Sequence, residues 1–250
     1  MTTLFISDLH LSPKVPELNQ AFFRLLEEEA PQADAVYVLG DLFDFWTGDD
    51  DPSPFARSII EAFQALTQAG VPCFFTKGNR DFLVGKRFAR ETGVTLLDDE
   101  AVIELYGQRA VVLHGDTLCT QDQAYLNYRR KVHQPWLQWL FNHLPFALRE
   151  RIVAKIKGDI KHDKQTKSLE IMDVTQSEVE RVMMQHDVTL MIHGHTHRPA
   201  IHRFTLGDKQ ARRVVIGDWG ELGYVLRIDQ QTLSLDSFNI DNVRKCDQFK

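Results

Sequence analysis

Acidic, amide and imidazole side chains recur in five short clusters along the 250 residues of the chain. Each cluster directly follows a run of apolar residues of the kind that forms a buried strand. In chain order the clusters are Asp8-Leu-His10, Gly40-Asp-Leu-Phe-Asp44, Gly78-Asn-Arg-Asp81, His114-Gly-Asp116 and Gly194-His-Thr-His197. Ligands of open α/β sheets gather outside the carboxyl ends of the strands, so we expect the five clusters to converge on one site.

The converging side chains would supply both oxygen and nitrogen ligands to a metal. The candidate metal ligands are Asp8, His10, Asp41, Asn79, His114, His195 and His197. Seven side chains are too many for one tetrahedral ion, but they suit two divalent ions about 3.5 to 4 Å apart with one bridging carboxylate. A mixed nitrogen and oxygen set without thiolate favours Mn²⁺, iron or Zn²⁺ over Mg²⁺ or Ca²⁺. The glycines before Asp41, Asn79 and His195 would let the backbone turn sharply and approach a ligand closely.

Each cluster taken alone has a simpler interpretation. An Asp-x-His or Gly-Asp sequence is common in turns and helix caps, and a His-rich tract by itself is weak evidence for a metal. Five such clusters, each after a predicted strand, disfavour these interpretations for the set as a whole.

The elements that must position the clusters alternate between strand and helix. Buried strands are predicted at residues 4–7, 35–39, 73–76, 110–113 and 188–192, and helices with one apolar face at 18–29 and 55–69. This alternation is typical of an α/β protein. After residue 200, short strands at 214–216, 224–228 and 233–238 predict a second, more antiparallel sheet.

A helical, aromatic and basic segment interrupts this pattern. We expect a core formed by residues 1–120 and 170–250, with a helical cap insertion at 121–169. Residues 121–170 contain ten Lys or Arg against five Asp or Glu, a net charge of +5, which leaves −11 for the rest of the chain. Such a cap suits an anionic partner, either phosphate groups or an anionic lipid surface, although a solvated basic face is the simpler alternative.

Composition excludes several other classes of protein. The net charge of −6 argues against a general nucleic-acid binder. Cys73, Cys119 and Cys246 are widely spaced without a C-x-x-C pair, so we expect neither disulfides nor a thiolate zinc site, and a reducing cytoplasmic location fits best. We also expect no signal peptide and no membrane span, since no apolar run reaches the roughly 18 to 20 residues needed. Nothing in the sequence indicates an obligate protein partner.

The order of the five clusters resembles the calcineurin-like metallophosphoesterase superfamily, whose pattern is D-x-H, GD-x-x-D, GN-[H/R]-[D/E], H and GH-x-H. The resemblance implies a two-sheet αββα sandwich, here with a helical cap insertion. It also implies that one metal ion is held by Asp8, His10, Asp41 and His197, and the other by Asp41, Asn79, His114 and His195. Asp41 would then be the bridging carboxylate.

Arg80 stands where many members of the superfamily have His. A His at this position can protonate a poor leaving group, but a guanidinium with a pKa above about 12 cannot release its proton at neutral pH. Arg80 would therefore clamp phosphoryl oxygens, which suffices when the leaving group is itself a phosphate. The alternative is a structural ion pair with Asp44 or Asp81.

The flanking residues, together with the basic aromatic insertion, resemble one branch of this superfamily. The matching segments are Asp8-Leu-His10-Leu, Gly40-Asp-Leu-Phe-Asp44-Phe-Trp46, Gly78-Asn-Arg-Asp-Phe82 and Lys167-Ser-Leu-Glu-Ile-Met-Asp-Val174. The branch implies hydrolysis of the pyrophosphate bond of a UDP-linked diacylated glucosamine lipid of lipid A biosynthesis, with attack of activated water on the UMP phosphorus. It also implies two Mn²⁺ per chain and a peripheral location on the cytoplasmic side of the inner membrane.

The same resemblance assigns roles to particular residues. Asn79, Arg80 and His195 would be catalytic, and substrate contacts would be made by Asn79, Arg80, Asp122, Lys164, Lys167 and His195, with Tyr125 a weaker candidate. Acyl chains need a water-poor groove. Apolar residues that would either line this groove or pack the insertion's own core are Trp136, Leu137, Trp139, Leu140, Phe141, Leu144 and Phe146.

Two other functions share the five clusters. One is a different metallophosphoesterase, such as a protein phosphatase or a cyclic-nucleotide phosphodiesterase, which Arg80 and the insertion disfavour. The other is a non-catalytic scaffold of the same fold, which would be expected to lack several ligands, whereas none is missing here.

Overall fold

The structure of the protein is a computed structural model that describes residues 2–166 and 173–240, with the backbone alone for 159–166. In this part of the chain the strands are β1 Thr3–Ile6, β2 Ala35–Leu39, β3 Cys73–Thr76, β4 Thr95–Leu96, β5 Glu100–Leu105, β6 Gln108–Leu113, β7 Leu190–His193, β8 Ala200–Leu206, β9 Lys209–Val215, β10 Leu222–Ile228 and β11 Leu233–Asn239. The helices are α1 Pro16–Arg24, α2 Pro54–Gln68, α3 Lys86–Thr92, α4 Gln123–Val132, α5 Pro135–Asn142, α6 Phe146–Thr166 and α7 Gln176–Gln185.

The strands form two mixed sheets. The first has the order β11-β10-β1-β2-β3-β4, in which β1 to β4 are parallel and β10 pairs antiparallel with β1. The second has the order β5-β6-β7-β9-β8, with a parallel centre of β6, β7 and β9 and antiparallel pairs at both edges.

Alternation along β1 shows how the layers are built. Leu4 and Ile6 point toward a core shared with α1, α2 and α3, whereas Phe5 points into a core formed by apolar residues of both sheets. Because successive side chains of a strand face opposite sides, a fully apolar strand must be covered on both faces. The helix α7 covers the other side of the second sheet with Val179, Val182 and other apolar residues. The result is the predicted αββα sandwich.

The sequence predicted most of these elements well but misplaced the last strands. The strands at 35–39 and 73–76 have the predicted bounds, and α1 continues into a π-helical turn at Leu25–Glu29, which extends it to the predicted end. The expectation that the strands after residue 200 build the second sheet is correct for β9, which lies beside β7 in that sheet. It is wrong for β10 and β11, which extend the first sheet from β1. Local hydrophobicity identifies a strand but not the edge with which it pairs.

Three consecutive helices, α4, α5 and α6, lie between β6 and α7 in the chain, where the insertion is predicted. The helix α6 is tied to the segment after β2 by Arg149, which is only 1% exposed. Its guanidinium donates to Thr47 O at 2.9 Å and pairs with Asp50. The division of the chain into a core and a cap insertion stays a prediction. Among the described residues, no helix combines the length and apolar character needed to cross a membrane.

Candidate metal centre

The structure brings the seven predicted ligands together at the carboxyl ends of neighbouring strands. Asp8 and His10 follow β1, Asp41 follows β2 and Asn79 follows β3. The other three ligands follow β6 and β7 of the second sheet. Backbone hydrogen bonds join the segments directly, from Asp8 N to Gly40 O at 3.1 Å and from His10 N to Asp41 O at 3.0 Å. Two facing sheets therefore contribute to one cluster.

One half of the cluster consists of Asp8, His10 and His197. The Nε2 atoms of the two imidazoles are 3.3 Å apart, and His197 Nε2 is 3.3 Å from Asp8 Oδ1. Ligand atoms of these three residues all lie within 4.8 Å of one another. These residues belong to the set that the family resemblance assigned to one ion.

The other half consists of Asn79, His114 and His195. Asn79 Oδ1 lies 3.0 Å from His114 Nε2 and 3.0 Å from His195 Nδ1, and the two imidazole nitrogens are 3.2 Å apart. His114 is oriented by its other nitrogen, Nδ1, which lies 2.9 Å from Leu39 O. Fixing one imidazole nitrogen in this way directs the other toward a metal.

Asp41 lies between the two halves. Its Oδ2 is 3.9 Å from His10 Nδ1, and its Oδ1 is 3.7 Å from His114 Nε2. The carboxylate thus presents one oxygen to each half, which suits the predicted bridging role. Asp8 also approaches both halves, since ligand atoms of Asp8, Asp41 and His114 lie within 4.8 Å of one another. The assignment of each ligand to an ion stays a prediction.

The donor atoms of this site fit metal ions. Two buried polar atoms at its centre, Asp8 Oδ1 and His10 Nδ1, have no hydrogen-bond partner of good geometry among the described residues. Leaving a buried polar atom unsatisfied is costly. The facing imidazole nitrogens, 3.2 to 3.3 Å apart, match two ligands about 2.1 Å from one ion, which lie about 3.0 to 3.4 Å apart at usual bond angles.

The backbone of this site is strained where the ligands leave the strands. Five of the predicted ligands have left-handed φ angles, namely Asp8 at 56°, His10 at 51°, Asp41 at 51°, His195 at 69° and His197 at 56°. Such a conformation costs a non-glycine residue roughly 1 to 3 kcal/mol. Among the described residues, only two other non-glycine residues, Tyr106 and Asp187, share it. Strain concentrated in one cluster indicates that the fold positions these side chains for a function.

The three glycines before the ligands allow the close approach predicted for them. A Cβ atom on Gly78 would lie 2.2 Å from Asp41 Oδ1, and one on Gly194 would lie 2.2 Å from Asp8 Oδ2. At Gly40, where φ is +83°, a Cβ would lie 2.7 Å from Gly78 Cα. Each added methyl group would displace a neighbouring ligand loop.

Burial and neighbouring charges act in opposite directions on the titratable groups of the cluster. Burial lowers the pKa of His10 to about 3 and that of His195 to about 4, so both imidazoles are held in the neutral form that binds metals. Burial also raises the pKa of Asp41 to about 7. For His114, burial is outweighed by the charges of Asp41 and Asp8, which raise its pKa to about 9. The carboxylates thus favour positive charge at this site, and a bound divalent ion would supply that charge.

Arg80 adjoins the cluster and is already paired. Its backbone N–H donates to Asp41 Oδ1 at 2.8 Å, and its Nε is 3.6 Å from Asp41 Oδ2. Its Nη1 is 2.7 Å from Asp44 Oδ1, so the ion pair considered as an alternative is present. The pair considered with Asp81 does not appear. Asp81 instead accepts hydrogen bonds from Gly78 N at 2.7 Å and Leu42 N at 2.8 Å.

Only some of the residues predicted to contact substrate lie beside the cluster in the described part of the chain. Asp122 caps α4 by accepting a hydrogen bond from Tyr125 N at 3.0 Å. The Tyr125 ring is 6.3 Å from the His195 ring, and its hydroxyl donates to Asp116. The side chain of Lys164 and the whole of Lys167 lie outside the described residues.

Two further residues, Asp218 and Lys157, contact residues of the site. Asp218 Oδ2 lies 3.1 Å from His197 Nδ1 and orients that imidazole. Sequence reasoning missed Asp218, although its signal, Gly-Asp after an apolar strand, is the one that identified Asp41. Lys157 Nζ lies 2.8 Å from Asp44 Oδ2, and nothing in the sequence pattern pointed to this contact. His193 is fully buried, with Nδ1 2.8 Å from Gly194 O, and it is not part of the cluster.

A two-sheet sandwich with paired ligand clusters at its strand ends defines a metallophosphoesterase, and comparisons with known proteins agree. The family model for calcineurin-like phosphoesterases matches residues 1–199. Accordingly, the chain belongs to the calcineurin-like phosphoesterase family.

Particular relatives are much closer than the family as a whole. A UDP-2,3-diacylglucosamine hydrolase from Vibrio cholerae serotype O1 is 64% identical over 232 residues, which cover 92% of this chain and 96% of the relative. A protein of the same name from Vibrio atlanticus is 59% identical over 242 residues, covering 97% and 99%. A solved archaeal phosphodiesterase shares the fold, with a TM-score of 0.50 and 15% identity over 96% of this chain and 99% of that one.

Replacing Gly78 with Ala should remove bound metal, because the new Cβ would lie 2.2 Å from Asp41 Oδ1 and 2.4 Å from Asp41 N. The expected result is a folded protein with less metal per chain than the unaltered protein after loading with Mn²⁺, as measured by elemental mass spectrometry. Gly220→Ala is the matched control, since a Cβ there meets nothing within 4 Å. Full metal content in folded Gly78→Ala protein would contradict the assignment of Asp41 as a ligand.

Proposed function

We propose that this protein hydrolyses the pyrophosphate bond of UDP-2,3-diacylglucosamine and releases UMP and 2,3-diacylglucosamine 1-phosphate (lipid X), a step of lipid A biosynthesis. The relatives described above carry the name of this activity and match the chain over nearly its whole length. The observation that carries the proposal is the junction of a metallophosphoesterase centre with an apolar cavity. A lipid diphosphate needs both features side by side.

The apolar cavity has a volume of about 180 Å³ and lies between the helices α4, α5 and α6 and two loops of the metal centre. It is lined by Phe45, Phe82, Leu83, Tyr128, Val132, Leu137, Gln138, Phe141, Ile152, Val153 and Ile156. Phe45 adjoins Asp44 in the chain, and Phe82 lies two residues after Arg80. The phosphate site and the cavity therefore share two loops, and an acyl chain in the cavity would place its headgroup toward the metal centre.

Five of the seven apolar residues that the sequence assigned to a groove divide into two groups. Leu137 and Phe141 line the cavity. Trp136, Trp139 and Leu140, on the same helix, are instead exposed by 65%, 62% and 48%. The helix α5 thus has an apolar face toward the cavity and another toward solvent.

The residues around the cluster suit hydrolysis of a diphosphate. When bound, two divalent ions would supply an activated water and would neutralise phosphoryl charge, and we propose Mn²⁺ in both positions. The Arg80 guanidinium, 3.6 Å from Asp41 Oδ2, is positioned to clamp oxygens of the attacked phosphorus. Asn79 and His195 would stabilise the charge that develops there. The departing phosphate needs no proton, which fits a site with a guanidinium at this position.

We also propose a peripheral position on the cytoplasmic side of the inner membrane, where a membrane-embedded lipid substrate would be reached. The exposed Trp136 and Trp139 support it, since Trp side chains favour the membrane interface. The exposed basic residues Arg130 and Lys131 lie in the last turn of α4, just before them, and would attract anionic lipid headgroups.

The first test is release of UMP from UDP-2,3-diacylglucosamine by metal-stripped protein, with and without added Mn²⁺. We expect Mn²⁺-dependent formation of UMP and lipid X, identified by mass, with the oxygen of ¹⁸O-labelled water in UMP. Absence of UMP release from a preparation that still hydrolyses a simple aryl phosphodiester would refute the lipid substrate but not the family. Label found in lipid X would place the attack on the other phosphorus.

Two variants test the roles of Asp41 and Arg80 in this reaction. Asp41→Ala should abolish turnover, because both halves of the centre lose a ligand. Arg80→Ala should keep its metal but slow hydrolysis about 10² to 10³-fold, the usual effect of losing one group that stabilises transition-state charge. Unchanged turnover in either variant would refute the role given to that residue.

Leu137→Glu tests the acyl site, because it places a charge in the apolar cavity. We expect the KM for UDP-2,3-diacylglucosamine in detergent to rise about tenfold or more, the cost of at least about 1.4 kcal/mol of lost binding, while hydrolysis of an aryl phosphodiester is unchanged. The control is Leu140→Glu, which alters an exposed residue of the same helix. Equal effects of the two variants on the lipid substrate would argue against the cavity as the acyl site.

The double variant Trp136→Ala/Trp139→Ala tests the membrane surface. It should float less with vesicles of phosphatidylethanolamine and phosphatidylglycerol than the unaltered protein, because interfacial aromatic area is lost. Leu222→Ala, at an exposed apolar residue of β10, is the matched control. Undiminished flotation of the double variant would exclude α5 as the membrane contact.

A further inference from the structure

One carboxylate, that of Asp44, is shared by two cations from different parts of the chain. Arg80 Nη1 lies 2.7 Å from Asp44 Oδ1, and Lys157 Nζ lies 2.8 Å from Asp44 Oδ2. Arg80 follows β3 beside the metal centre, whereas Lys157 belongs to α6. The side chains of Asp44 and Lys157 are 35% and 40% exposed, so these ion pairs can exchange partners without burying a bare charge.

We propose that Lys157 is a positioning residue that makes Arg80 available to substrate phosphate by sharing its counter-anion, Asp44. When a phosphoryl group draws the guanidinium away from Asp44, Lys157 keeps that carboxylate paired. The exchange then leaves no uncompensated charge beside the metal centre. This inference rests on the proposed function only in that the substrate contains a phosphoryl group that Arg80 contacts.

The surroundings of Lys157 fix it in this position. Its Nζ lies 5.6 Å from the centre of the Phe45 ring, a distance at which a cation and an aromatic face attract each other. The helix that carries it is anchored eight residues earlier by the buried Arg149, about 12 Å away along the helix axis. Lys157 is thus directed at Asp44 by its helix and by a neighbouring ring.

Asp44 and Arg80 are also held by their backbones. Asp44 N donates to Leu11 O at 2.9 Å, and Trp46 N donates to Arg80 O at 3.0 Å. The Arg80 N–H is occupied by Asp41 Oδ1. Because these backbone groups are fixed, the part of Arg80 free to move between a carboxylate and a phosphate is its side chain. The Asp44 pair, at 2.7 Å, is shorter than the 3.6 Å contact between Arg80 Nε and Asp41 Oδ2, so its strength is the larger influence on how readily the guanidinium leaves.

This arrangement predicts that a substitution of Asp44 will reverse the effect of a substitution of Lys157. In Lys157→Met, Asp44 would retain Arg80 as its remaining cation and hold it more tightly, so we expect KM to rise about tenfold with a smaller change in kcat. Adding Asp44→Asn to this variant would release the guanidinium, and we expect it to return KM to within about threefold of the unaltered protein. Lys157→Arg, which keeps the charge, should behave like the unaltered protein.

The experiment measures KM and kcat for these variants with two substrates, UDP-2,3-diacylglucosamine and bis(4-nitrophenyl) phosphate, which lacks acyl chains. The effect of Lys157→Met and its reversal should appear with both, because Lys157 acts through Arg80. Binding of UMP by calorimetry gives a readout independent of turnover and should follow the same order. Lys155→Met is the matched control, since it removes an exposed basic residue from the same helix. Metal content and thermal unfolding of each variant show that the centre and the fold are intact.

Three results would overturn the inference. One is a double variant no better than Lys157→Met, which would mean that Lys157 contacts substrate itself or only braces α6. A second is a further loss when Lys157→Met is added to Arg80→Ala. The third is an effect confined to the lipid substrate. If Lys157→Met does not fold, Lys157→Gln gives the same comparison. If the unaltered protein turned over only the aryl diester, the proposed lipid substrate would fail, while the paired substitutions would still test the inference.

Discussion

The structure depends on one constraint, the burial of several carboxylates and imidazoles at a single point. Asp8 and Asp41 are almost completely inaccessible to solvent, and His114 is only 2% exposed. Charges withdrawn from water in this way are unfavourable unless a counter-charge lies close by. Within the described part of the chain, Asp8 Oδ1 and His10 Nδ1 have no hydrogen-bond partner of good geometry. The carboxyl ends of the strands are therefore suited to bind divalent cations, which would supply the missing counter-charge.

Much of the surrounding architecture holds the ligand loops in conformations that they would not adopt alone. Asp81, itself buried, accepts hydrogen bonds from Leu42 N and Gly78 N and so joins the loops after β2 and β3. Asp49 similarly accepts from Gly85 N and Phe88 N and ties the loop after β2 to the start of α3. These side-chain to backbone bonds, with the packing of the two sheets, stabilise the left-handed residues of the site. Strain at a functional site is maintained in this way by the rest of the structure.

A second set of contacts holds basic side chains near the metal centre. Asp44 connects Arg80 with α6 through Lys157, and Arg149 anchors the same helix to the segment after β2. The helix α6, which borders the apolar cavity, is consequently linked to the residues that would contact phosphate. A substrate with a diphosphate and acyl chains would contact both the metal centre and the apolar cavity. The short segment after β2 connects these two regions.

The sequence by itself determined the strands of the core and the identity of the seven candidate ligands. It could do so because an apolar run ends where its strand ends, and a polar residue placed there must lie at the edge of the sheet. The tertiary structure alone decided that β10 pairs with β1, that Asp218 orients His197 and that Arg80 shares Asp44 with Lys157. These contacts join residues far apart in the chain, and their formation depends on how sheets and helices pack. A local sequence pattern shows where each strand ends, but it does not show which distant residues come into contact when the chain folds.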